Sequence, residues 1–85
     1  MIKIGDKILT FEKVVIGDIP TLIFIFSLSK KRKVEVYHDL EEGTFSYIDN
    51  QDGTRFPMIV PNDTKEKIEN FIENIVNNLT ESGKL

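Results

Sequence analysis

Few side chains in this 85-residue chain can do chemistry, and their spacing limits what that chemistry could be. His38 is the single histidine, and histidine is the side chain whose ordinary titration falls near neutrality. As a general base it would need a carboxylate to orient it, from Asp39 or Glu35, and a hydroxyl to activate, from Ser46 or Ser27. No G-x-S-x-G nucleophile elbow accompanies them, so a hydrolase built on His38 depends on the fold alone to bring three groups together. A half-exposed strand-end histidine bonded to a neighbouring turn needs no such coincidence. The hydrolase reading therefore ranks last.

Metal and phosphate chemistry fare no better. Asp49-Asn50-Gln51-Asp52-Gly53 has the composition of a calcium loop. Aligning Gly53 with the sixth position, however, puts Ile48 at the first ligand and Ile59 at the twelfth, where carboxylates are needed. The segment reads instead as a hairpin turn, with Asp-Gly supplying positive φ. The absence of cysteine excludes disulfides, thiolate metal sites and a thiol nucleophile, and one histidine excludes a multi-histidine zinc site. There is no G-x-G-x-x-G and no Walker lysine, so no cofactor is expected. A small-ligand pocket built from side chains stays open.

Charge is segregated. The 11 Lys and Arg against 14 Asp and Glu leave a net charge of −3, which argues against a globally basic nucleic-acid binder. Yet Ser29-Lys30-Lys31-Arg32-Lys33 gathers four of the cations between two apolar runs. A hairpin would project Lys30, Lys31, Arg32 and Lys33 as a finger able to touch phosphates. The same residues also serve as a solvated turn keeping the neighbouring apolar strand soluble. Acid collects at Asp39, Glu41 and Glu42, and at Glu66, Glu69 and Glu73, where a phosphate-mimicking series competes with a plain hydrated helix face.

The elements that must position these groups follow from periodicity. Residues 1–60 read as short strands and 62–81 as one helix, with 82–85 a frayed tail, all in a single domain. Ile2 to Ile4 and Lys7 to Ile16 flank a Gly5-Asp6 turn, with Leu9, Phe11 and Val15 on one side of the second strand and Ile8, Thr10, Glu12 and Val14 on the other. Thr21 to Leu28 is apolar on both sides, Leu22, Phe24, Phe26 and Leu28 against Ile23 and Ile25, as a centrally placed strand would be. Lys33 to His38 sets Val34, Val36 and His38 against Glu35 and Tyr37. Thr44 to Ile48 and Thr54 to Val60 make a last hairpin, with Phe45, Tyr47, Phe56, Met58 and Val60 inward and Pro57 marking an edge.

In the helix, Ile68, Phe71, Ile72, Ile75, Val76 and Leu79 form one apolar stripe. Asp63 and Glu66 have capping-box spacing, with Asn62 as a rival cap, and Gly83 suits a stop. The expected fold class is α+β: an antiparallel meander of five to six short strands, open or curled into a partial barrel, packed on one C-terminal amphipathic helix.

One helix covers one face of a strand that is apolar on both. Ile23 and Ile25 are therefore the candidate self-association or partner face, and a homodimer is one economical solution. The expected protein is a small non-enzymatic binding module that recognises a protein partner or itself. An accessory of a phage or mobile element, inhibiting a host protein or sequestering a ligand, fits its composition. The alternative is a nucleic-acid binder using Lys30 to Lys33. No apolar run is long enough to span a bilayer and no signal-peptide core is present, so a cytoplasmic location without membrane partners is expected.

Overall fold

Across residues 2–85, which the computed structural model describes, the chain forms six strands and one helix. They are β1 (Ile2–Ile4), β2 (Lys7–Ile16), β3 (Thr21–Ser29), β4 (Arg32–Asp39), β5 (Phe45–Gln51), β6 (Thr54–Pro57) and α1 (Asn62–Glu81). Every strand pairs antiparallel with the next, so the sheet is a meander in sequence order. It curls into a half-barrel around the C-terminal helix, an α+β fold.

Turn chemistry sets the register at both ends. Ile4 pairs with Lys7 across Gly5-Asp6, with Gly5 at φ 63°. Gln51 pairs with Thr54 across Asp52-Gly53, where both residues have positive φ, as a type I′ turn requires.

Strict alternation misassigns the second half of β2. A bulge between Phe11 and Lys13 inserts Glu12 as an extra residue, so Phe11 faces Phe26 and Val14 faces Phe24, while Val15 pairs with Ile23 on the other side. Val14, rather than Val15, thus joins Leu9 and Phe11 against the core.

The core lies between the inner sheet face and the helix. Leu22, Phe24 and Phe26 of β3 and Val34 and Val36 of β4 meet Ile68 and Ile72 of α1, all essentially inaccessible to water. Phe11 packs edge-on against Phe26 and Phe71, with ring centroids 5.4 Å apart in both cases. Tyr47 ties β5 to the helix: its hydroxyl donates to Glu69 Oε2 at 2.5 Å, and Lys65 Nζ lies 5.8 Å above its ring. Glu69 therefore faces the sheet rather than the solvent side of the helix.

The helix start differs from the expected capping box. Pro61 is the N-cap and makes no side-chain cap bond, while Asp63, already inside the first turn, accepts from the Thr64 N–H at 2.9 Å. The end is a Schellman motif: Lys84 N–H reaches Leu79 O and Gly83 N–H reaches Thr80 O, with Gly83 at φ 73°.

The β5–β6 hairpin also departs from expectation. Asp49, Asn50 and Gln51 belong to the strand: Arg32 and Glu35 of β4 satisfy Asp49 and Asn50, and Gln51 donates to Asp49 along the same strand; β6 stops at Pro57, and Phe56 is half exposed. Val60, beyond the strand, still reaches the core.

Candidate functional site

His38 is buried on the inner face, and its ring stacks on Phe45 at 4.1 Å between centroids. Its Nδ1 lies 3.0 Å from the Thr44 carbonyl, an acceptor, so this nitrogen carries a proton and donates. Asp39 does not orient the ring: its Oδ1 accepts from the backbone N–H groups of Glu41 and Glu42. Register puts Glu35, Ser27 and Ser46 on the opposite face of the sheet from His38. The groups a triad would need are thus on two sides of one layer.

The basic run divides. Arg32 lies in β4 and forms a two-point ion pair with Asp49, Nε to Oδ1 at 3.1 Å and Nη2 to Oδ2 at 2.9 Å. Lys33 bonds Glu12 at the β2 bulge and Ser27 Oγ at 3.4 Å. Lys30 and Lys31 alone form the tip of the β3–β4 turn. The arrangement neutralises half of the proposed phosphate finger within the sheet.

The outer face, away from the helix, carries the more developed arrangement. Register aligns Lys13, Ile25, Glu35, Ile48 and Pro57 in one cross-strand row, and Val15, Ile23, Tyr37 and Ser46 in the next. Ile23 and Ile25 stand in mid-sheet, half-buried, with no helix above them.

At the centre of that face is an unexpected buried carboxylate. The Glu35 side chain is 6% exposed, although its position in the alternation reads as solvent-facing. Asn50 Nδ2 donates to its Oε2 at 2.7 Å, Tyr37 hydroxyl to Oε1 at 3.2 Å, and Arg55 Nε lies 3.1 Å from Oε2. Burial pushes the Glu35 carboxyl up, but the Asn50, Arg55 and Tyr37 bonds together hold it below the ordinary glutamate value. Burial, then the charge and bond of Glu35, push the Tyr37 phenol up.

Beside this cluster a groove of about 340 Å³ opens between Tyr37, Ser46, Ile48, Arg55, Phe56 and Pro57. Four of these six walls are apolar or aromatic, and Arg55, 60% exposed, brings the one charge. A second depression of about 420 Å³ lies where β1 meets the helix, among Ile2, Lys67, Asn70, Phe71 and Asn74. Among the described residues no group of three or more His, Asp or Glu is placed to hold a metal, and no helix is long and apolar enough to cross a membrane.

Sequence reasoning placed Ile23 and Ile25 on the sheet face opposite the helix, where they lie, but missed the Glu35–Asn50–Arg55 cluster. Its members come from three strands, so their only sequence trace is a polar residue at the matching phase of each strand. That trace becomes visible once register is known. No known protein family, curated protein or solved structure matches this chain.

Proposed function

We propose that this chain is a small non-enzymatic binding protein whose recognition surface is the outer face of the sheet. The observation that supports it is the uncovered position of Ile23 and Ile25, in the middle of a six-stranded sheet whose single helix lies on the other side. Val15, Tyr37, Ile48 and Pro57 extend the apolar area across four neighbouring strands, and Lys13, Lys33 and Arg55 border it. Apart from the Glu35 carboxylate, which Asn50, Tyr37 and Arg55 satisfy, the centre is apolar and the rim charged, the composition of an association surface.

The occupant of the β2–β3 half is a second copy of this chain. A two-fold contact presents the same apolar strip from both sides. Inhibiting another protein or sequestering a ligand, in the manner of a phage or mobile-element accessory, is the role such a surface would serve.

Sedimentation across a concentration range tests this. The wild type should shift towards dimer as concentration rises. Ile23→Lys and Ile25→Lys, each placing a charge in an apolar contact, should weaken association at least about tenfold without loss of secondary structure. A wild type that stays monomeric at high-micromolar concentration, or variants that associate as well as it does, overturns the assignment.

A further inference from the structure

The groove at the β5–β6 edge has the parts of a small-ligand site, and Arg55 decides its chemistry. The Glu35 carboxylate beside it is an expensive feature in so small a domain, because a buried ion needs every lone pair used and an apolar pair of similar size is commonly as stable. Here the carboxylate fixes the guanidinium. Arg55 spends its Nε on Glu35, 3.1 and 3.3 Å from the two oxygens, and Asn50 and Tyr37 take further Glu35 positions. The terminal amino groups of Arg55 make no hydrogen bond to any described residue, and the side chain lines the groove. A held guanidinium with a free fork is a two-point receptor for a planar oxyanion.

We propose that this groove binds a monocarboxylate carrying a compact apolar body. The carboxylate pairs with the terminal amino groups of Arg55, and the apolar part lies against Ile48, Pro57 and the Tyr37 ring. The assignment rests on the outer face being the binding surface, and it occupies the half of that face away from Ile23 and Ile25. Geometry selects the class: two terminal amino groups in one plane match the two oxygens of a carboxylate, and the apolar walls leave the further oxygens of a phosphate ester without donors. The walls select an apolar body, since Ile48, Phe56 and Pro57 offer it no hydrogen bonds and Ser46 is the one hydroxyl among them free of Glu35. At about 340 Å³ the groove lies at the small end of ligand sites, which commonly run from about 300 to 1,000 Å³.

The test is a two-dimensional NMR titration of the full chain with 3-phenylpropionate, its neutral amide and phenyl phosphate at constant ionic strength. The carboxylate should give saturable shifts confined to the backbone amides of Tyr37, residues 46–48, Arg55 and Phe56. The amide and the phosphate should bind at least about tenfold more weakly, the loss expected on removing or mismatching a charge-assisted pair. Arg55→Gln should abolish the preference for the carboxylate. Because that change also strips Glu35 of its cation, Ser46→Phe serves as a second variant: it fills the groove from an exposed strand position, leaves the Glu35 cluster intact, and should weaken the carboxylate by a similar factor.

Equal binding of all three probes, undiminished binding by Ser46→Phe, or no local shift at about 10 mM carboxylate overturns the proposal. If the probes fail while Ile25→Lys still changes self-association, the groove assignment falls and the binding face stands. If neither has an effect, both fall.

Discussion

Asp49 and Glu35 show how two acidic residues of similar sequence context do different work. Asp49 lies on the inner side of the sheet, where the hydrogen bond from Arg32, against burial and with help from Gln51, holds its carboxyl below the usual aspartate value. Glu35 lies on the outer side, lowered by its three donors in spite of burial. Both bind a proton less readily folded than unfolded, so their stabilisation is complete above the unfolded-state pKa values and drains away as pH falls through the lower folded ones. Urea unfolding from about pH 7 to about pH 2 should therefore show stability declining on the acid side. Asp49→Asn and Glu35→Gln should each lower stability at neutral pH by on the order of 1–3 kcal/mol and flatten that decline. Equal slopes in variants and wild type would refute the assignment. His38 contributes at this scale as a packed ring bonded to the Thr44 carbonyl; the bond to a turn was legible in the sequence, but the ring is buried against Phe45 rather than half exposed.

At the scale of elements, β2 is the instructive case. Its period-two pattern was readable as a strand, and Lys7–Ile16 is the span observed. Its faces were not, because a bulge shifts the phase by one residue and no residue type announces it. The bulge makes a sharp prediction. Deleting Glu12 leaves Phe11, Lys13 and Val14 opposite the same β3 partners, so the sheet should survive with only the exposed Glu12–Lys33 pair lost, about 1 kcal/mol or less. Deleting Val14 instead turns Val15 inward and Ile16 outward, and should cost about 2 kcal/mol or more in thermal or urea unfolding. If both deletions are tolerated alike, the bulge is not what sets the phase. β5 shows the opposite error: Asp49-Asn50-Gln51 has the composition of a loop but is strand, since Arg32, Glu35 and the Gly53 N–H receive or supply the hydrogen bonds that loop solvent would.

For the whole molecule, the decisive fact is one helix for a sheet with two apolar faces. Ile72 and Ile25 are chemically identical side chains on opposite sides of that fact: Ile72 is sealed between helix and sheet, and Ile25 is half-buried on the outer face. At concentrations low enough to keep the chain monomeric, Ile72→Ala should cost about 2–5 kcal/mol and bring so small a domain near unfolding. Ile25→Ala should cost roughly 1 kcal/mol or less in stability and act instead on association. Similar unfolding costs for the two would place a second cover over the outer face within the single chain. By itself the sequence determined the α+β class, the helix from Asn62 to Glu81, the Gly5-Asp6 turn and the apolar residues of β3, because periodicity and turn chemistry are local properties of the chain. Only the tertiary structure decided which side of β2 is buried, that Arg32 and Lys33 are neutralised by acids 17 and 21 residues away, and that Glu35, Asn50 and Arg55 meet beside a groove. Those outcomes depend on strand register and sheet curl, which bring together side chains that no local pattern links.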